Sequence, residues 1–204
     1  MTPVPLHERE RGEKMGLRVT RTAAETGLSP DACGWIGRLH DTAMTVRNEA
    51  LFDDHDSRYL HPGRSALILL QDVGETDAAV LGAAIIVDSQ FPELMPDEAS
   101  LRDLSAVEAH WVEAVLELRA EIPPSGDEML AERLLTASGR AQRAALAERL
   151  DHLRHAHIDL DLAQRRRVHE EAEAVYLGIA QRTHAELERR YRWWCHMFAS
   201  RHLR

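Results

Sequence analysis

The chain has 204 residues, which suits one domain with a sizeable core, or one domain and a short appendage. Hydrophobic residues make up 44% and charged residues 29%, the balance of a folded soluble protein. A formal net charge of −9 argues against non-specific nucleic-acid binding, and no apolar run reaches the roughly 18 residues of a membrane span. Two cysteines, Cys33 and Cys195, stand far apart and form neither a disulfide framework nor a metal-type pair; they read as small buried hydrophobes. The first dozen residues lack the apolar centre of a signal peptide, so a cytoplasmic protein is expected.

Residues 1–15 are charged and aperiodic and are read as a flexible arm, followed by a single helical domain over 16–204. Ser29-Pro30-Asp31 is a helix start, with Ser29 as cap and Pro30 in the first turn. The helix runs to about Phe52, with Trp35, Leu39, Met44 and Val46 facing inward. Phe52 to Ser57 is a loop. Pro62 opens the next helix and Gly74 closes it. Thr76 is placed as the cap of a helix over Asp77 to Asp88, where Val80 to Val87 is apolar almost all round; its alanines and polar cap favour a buried central helix over a strand.

Phe91 to Pro96 is a loop. Ser105 caps an amphipathic helix to Ile122, with Val107, Trp111, Val115 and Leu118 on one face. Pro123 to Gly126 breaks it, and Asp127 to Ala137 is helical again. After a turn at Ser138-Gly139, a long helix spans Arg140 to His157, with Leu146, Leu150 and Leu153 inward. The last helical stretch covers Leu162 to Arg201, bent at Gly178 or near Thr183. No alternating strand pattern and no repeat is found. The fold class expected is all-α, a bundle with a long C-terminal helical hairpin.

Four segments, in order, carry a resemblance. Tyr59-Leu60-His61-Pro62 precedes a helix over Gly63 to Val73. Gly74 to Asp88 ends an apolar helix in an acid. Leu146-Ala147-Glu148-Arg149-Leu150-Asp151-His152-Leu153-Arg154 is the third segment, and Glu173-Ala174-Val175-Tyr176-Leu177-Gly178-Ile179-Ala180-Gln181-Arg182 the fourth. Together, across about Arg38 to Trp194, they resemble the HD-type hydrolase domain of the bifunctional alarmone synthetase/hydrolase family and its small stand-alone relatives. Those enzymes remove the 3′-pyrophosphate from guanosine tetraphosphate with Mn²⁺.

The resemblance implies a divalent-metal site built from a His, a His-Asp pair and a distant Asp, with open positions for water and phosphate. His61 matches the first ligand and Asp88 the acid of the pair. Val87 stands where the paired His is expected, and Glu148 replaces the distant Asp with a longer carboxylate. Phe91 and Pro92 occupy the positions of a Glu-Asp pair that handles water, and His152 that of an Asn near the nucleoside. At helical spacing, His152 shares a face with Glu148 and is the candidate substitute ligand; the alternative is a solvated polar face. The metal candidates are therefore His61, Asp88, Glu148 and His152, with Mn²⁺ as the ion if one is bound, and no cofactor as the alternative. Arg149 and Tyr176 match family residues and are ligand-binding candidates.

The dipeptides His40-Asp41 and His55-Asp56 lie outside the motif pattern and read as accidental. His169, His184, His196 and His202 lie on charged helices and receive no role. Arg165-Arg166-Arg167 reads as a solvated face, with phosphate contact as the alternative. Tyr191, Trp193, Trp194, Met197 and Phe198 form an aromatic stripe, either packed on the core or a homodimer or partner seam. Three functional readings follow. The first is an HD-like protein with an altered metal site, impaired in catalysis, that binds a nucleotide or protein partner as a regulator. The second is an active, divergent metal-dependent phosphohydrolase acting on a nucleotide phosphoester or pyrophosphate. The third is an unrelated helical interaction module.

Overall fold

Capping chemistry divides the chain largely where the sequence pattern places its breaks. In the computed structural model, which describes residues 10–51, 53–104, 109–124 and 129–204, Ser29 Oγ accepts from Ala32 N at 3.2 Å and starts α2 (Pro30–Ala50). The fold is all-α, with no strand among the described residues. α3 (His61–Ile68) runs into a π-helical turn over Leu69–Val73. Gly74 ends it at φ 70°, a left-handed backbone that suits glycine.

One expectation is corrected at the start of the chain. The arm does not extend to residue 15, because α1 begins at Glu10 and runs to Thr26. Its buried positions are Gly12, Gly16, Val19, Thr22 and Ala23, packed on α2 and α3. These lie on one helical face, but small residues leave almost no hydrophobic signal in the sequence.

α4 (Ala78–Ile86) is the centre of the molecule: all nine of its residues are buried, and it packs against α2, α3, α6 and α8. Its cap is Asp77, not Thr76; Asp77 Oδ1 accepts from Ala79 N at 2.9 Å. The helix also stops two residues earlier than expected. Val87 is extended, so Asp88 stands just beyond the helix rather than on it. Gly82 allows a close approach: a Cβ there would lie 2.7 Å from Val115 Cγ2 and 2.9 Å from Leu39 Cδ2.

A short 3₁₀ turn (Pro92–Leu94) and α5 (Glu98–Arg102) lead to α6 (Ala109–Glu121), which buries Val112, Val115 and Leu118. Its Trp111 ring stacks on Trp35 at 5.9 Å. The expected cap at Ser105, the inward Val107, the break at Ser125-Gly126 and the helix start at Asp127 lie outside the described residues, while α2 ends at Ala50, two residues short of the expected Phe52. α7 (Leu130–Thr136) precedes α8 (Gly139–Asp159), capped by Ser138, with Leu146, Leu150 and Leu153 buried.

The C-terminal hairpin is present. α9 (Leu162–Glu171), a second π-helical turn (Ala172–Tyr176) and α10 (Leu177–Thr183) form one arm. The chain turns at His184, where the backbone is extended, and α11 (Ala185–His202) packs back on α9 and α10. Gly178 lies within a helix. Tyr191, Trp194 and Phe198 are buried, and of the aromatic stripe Trp193 alone is mostly exposed. The stripe is therefore spent on the hairpin's own packing and leaves little for a dimer seam. No helix among the described residues is long and apolar enough to cross a membrane.

The packing at Gly82 gives a direct test. Gly82→Ala forces a methyl group against Val115 and Leu39, and overpacking of this kind costs about 1–3 kcal/mol. Urea unfolding should show the midpoint falling accordingly, with the slope unchanged.

Candidate metal centre and its cleft

Three structural segments bring four ligand-type side chains to one place. His61 opens α3, Asp88 follows α4, and Glu148 and His152 sit one turn apart on α8. One ligand atom from each of the four lies within 4.8 Å of every other. His61 and Asp88 are fully buried, Glu148 is 1% exposed, and the His152 side chain is 10% exposed.

The imidazoles are fixed by what lies behind them. His61 Nδ1 is 2.8 Å from Asp151 Oδ2, so its Nε2 is left toward the cluster, 3.9 Å from Glu148 Oε1. Asp151 is itself gripped by Arg64, whose Nε and Nη2 donate to its two oxygens at 2.8 and 2.9 Å. His152 Nε2 lies 3.0 Å from Asp88 Oδ1 and 3.2 Å from Glu148 Oε1. The rings of His61 and His152 stack at 4.1 Å.

The carboxylates are held as firmly. Arg47, fully buried, donates to Asp88 Oδ2 at 2.9 Å and to the carbonyl oxygens of Leu94 and Arg58. Asp88 Oδ1 also accepts from Phe91 N at 2.9 Å. Glu148 accepts from the backbone N–H and the hydroxyl of Ser89.

Electrostatics follow from this packing. Burial works against charge on Asp88, but His152, His61 and Arg47 outweigh it and hold its carboxyl well below the usual range. Asp151 is lowered in the same way, against burial, by His61 and Arg64. For His152, burial disfavours the cation, yet Asp88 and Glu148 prevail and push it up to about 9. In this state the imidazolium occupies the place between two carboxylates that a cation would take.

The donor set fits a divalent ion. Two imidazole nitrogens and two carboxylates suit Mn²⁺, Fe²⁺ or Zn²⁺. A ligating His typically gives its other ring nitrogen to a carboxylate, which is the relation of His61 to Asp151. Val87, where the resemblance expects an imidazole, packs in the apolar core; His152, one turn beyond Glu148, brings a second imidazole to the cluster.

Beside the cluster lies a cleft of about 790 Å³, within the usual range of small-ligand sites, about 300–1,000 Å³. Its walls include Arg11, Arg58, Arg64, Arg149, His155 and Tyr176. Of the four clustered side chains, His152 alone is part of that wall. Arg149 and Tyr176 are not among the clustered donors. They sit together in the cleft, with Arg149 Nε donating to the Tyr176 hydroxyl at 2.8 Å and that hydroxyl donating to Glu171 at 2.6 Å. Phe91 lines the same cleft, beneath the Arg58 guanidinium.

Sequence reasoning missed Asp151, Arg64, Arg47 and Ser89. For two of them a signal was present: Asp151 lies three residues after Glu148, and Arg64 three after His61, so each shares a helical face with a named candidate. The other dipeptides play no part here. His40 is buried and Asp41 exposed, and His55 lies on an exposed loop at the cleft edge. Arg166 and Arg167 are exposed. No protein-family model matches this chain, and no curated protein matches it either.

Two predictions follow from the buried charges. Arg47→Met leaves the Asp88 carboxylate without its buried partner, a loss of about 3–5 kcal/mol that chemical denaturation would measure. The second concerns pH. The folded-state value of His152, about 9, exceeds its ordinary 6.5. Its contribution to stability is therefore complete below pH 6.5 and is lost as pH rises through 9. The metal-free protein should lose stability across that interval, and His152→Gln should flatten the profile there.

Proposed function

We propose that this chain is an HD-like protein that holds a divalent metal ion on His61, Asp88, Glu148 and His152, and binds a phosphorylated, nucleotide-sized ligand in the adjoining cleft without efficient hydrolysis. The observation that carries this reading is the convergence of the four donors beside an arginine-walled cleft. A bound divalent ion would supply positive charge for a phosphate and would polarise its oxygens.

The chain's own residues supply recognition. Arg58, Arg64 and Arg149 bring guanidinium groups to the cleft wall, and planar guanidinium suits phosphate oxygens. Tyr176 offers an aromatic surface beside Arg149. Asp53, Asp56 and Glu171 share the wall, and an anionic ligand would compete with Asp56 for Arg58 and with Glu171 for Arg149.

Poor turnover follows from two features. First, Phe91 and Pro92 stand where the resembled enzymes carry acids that handle water, and such acid–base groups contribute about 10²–10⁴ in rate. Second, His61, Asp88 and Glu148 lie behind His152 rather than in the cleft wall. Of the four donors, only the His152 imidazole meets a ligand in the cleft directly. The role that suits this arrangement is binding and regulation.

The second reading, a divergent active phosphohydrolase, is favoured by one observation: His155 also lines the cleft, with Nδ1 committed to the Asp151 carbonyl oxygen at 2.8 Å. Its Nε2 is then the nitrogen left to accept a proton from water.

The test uses untagged full-length protein loaded with Mn²⁺. About one equivalent should bind at this site, be lost in His61→Ala and His152→Ala, and release about one proton near neutral pH, since a ligating imidazole must be neutral. Guanosine tetraphosphate should bind the loaded protein, while an assay in excess Mn²⁺ shows little pyrophosphate release. Absence of Mn²⁺ binding would overturn the metal reading. Robust turnover would favour the second reading, and His155→Ala would then lower kcat.

A further inference from the structure

A second cluster of ligand-type side chains lies in the C-terminal hairpin, apart from the first site. A ring nitrogen of His169, a carboxylate oxygen of Glu173 and Sγ of Cys195 lie within 4.8 Å of one another. His169 lies in the last turn of α9, Glu173 in the π-helical turn that follows, and Cys195 faces them from α11. We propose that His169, Glu173 and Cys195 form a binding site for a borderline-soft divalent ion of the Zn²⁺ class, open on one side to solvent.

The orientation of His169 is the first argument. Its Nε2 is 2.9 Å from the Cys195 carbonyl oxygen, an acceptor only, so Nε2 carries the proton. Nδ1 is then the nitrogen left for a ligand, and it lies 3.5 Å from Glu173 Oε2. A backbone carbonyl that fixes the tautomer and aims the other nitrogen is the usual support of a metal-binding imidazole. The ring itself packs beside the stacked pair Trp194 and Phe198.

The second argument is the backbone. A π-helical turn begins at Ala172 and carries Glu173, and single π turns inside α-helices recur at functional sites. The third is access. A pocket of about 500 Å³ opens on Glu173 and Cys195, with Arg192, His196 and Arg204 also in its wall, so a fourth position is available to water or to an exogenous anionic ligand. Three protein ligands and one open position is the arrangement of non-structural zinc sites.

The ligand types set the ion. Thiolate, imidazole and carboxylate together favour Zn²⁺ or Co²⁺ over Mg²⁺ or Ca²⁺, which prefer oxygen donors throughout. Loading requires the Cys195 thiol to lose its proton; burial and the Glu173 charge push that thiol up to about 11. The ion's charge opposes this, and a coordinating thiol is deprotonated outright.

Co²⁺ is the probe, because bonding to a thiolate produces a near-ultraviolet charge-transfer band that nitrogen and oxygen ligands alone do not give. The first cluster contains no sulfur, so the band reports the hairpin site whatever becomes of the reading above. Titration of reduced protein should raise the band to saturation, at one equivalent if the first cluster takes no Co²⁺ and by two if it does, and Zn²⁺ should abolish it. Cys195→Ser should remove it, while Cys33→Ser leaves it intact. Glu173 is exposed, so Glu173→Gln tests the site without risk to the core; it should weaken Co²⁺ binding at least tenfold. A wild-type protein without the band, or a band that survives Cys195→Ser, overturns the proposal. An unchanged Co²⁺ affinity in Glu173→Gln overturns the assignment of Glu173.

Discussion

Everything around the first cluster depends on the cost of placing charge in the interior. Asp88, Glu148 and Asp151 are carboxylates with almost no access to water. An isolated buried carboxylate is prohibitively expensive, so each must meet cations and N–H donors. Arg47 serves Asp88, Arg64 serves Asp151, and Ser89 with His152 serves Glu148. Two arginines balance two of the three negative charges. The third is balanced by a protonated His152 in the metal-free chain, or by an ion once the imidazole is neutral. Charge balance thus couples the protonation of one histidine to the occupancy of the site.

The fold exists to hold that balance in place. α4, apolar on every side, lies at the centre and cannot contribute a polar face of its own. Its role is to fix where the chain emerges at Asp88, against α8 and α3. Gly82 lets α2 and α6 approach closely enough to enclose it. α8 then carries both kinds of contact: Leu146, Leu150 and Leu153 toward the core, Glu148, Asp151 and His152 toward the cluster. A helix amphipathic in this sense divides its buried surface between hydrocarbon and charge, rather than between hydrocarbon and water.

How far the sequence discloses this varies with the physics involved. Strong caps and breakers such as Ser29-Pro30, Gly74 and Ser138 are local signals, and they place the helices well. The burial of α4 is equally plain, because an unbroken apolar run with alanines has nowhere else to go. α1 is obscure because its inner face is built from Gly12, Gly16 and Ala23, which pack by closeness rather than by hydrophobic bulk. His61, Asp88, Glu148 and His152 are brought together through motif order and helical spacing. The partners behind them, Arg47 above all, are set by long-range geometry that no local pattern encodes. The same holds in the hairpin, where His169 and Cys195 are 26 residues apart and meet only because the chain reverses at His184.

The enclosure of the first cluster has a kinetic side. His152 stands between the other three donors and the cleft, and its own side chain is only 10% exposed. On the proposed reading, an ion held there would leave as that imidazole swings outward, breaking its contacts with Asp88 and Glu148. The rate of escape is then governed by a local opening of the protein rather than by diffusion of the ion. Such a site would act as a slow valve: an ion trapped during folding would persist through brief exposure to chelators, and equilibrium would be reached on the timescale of helix motion.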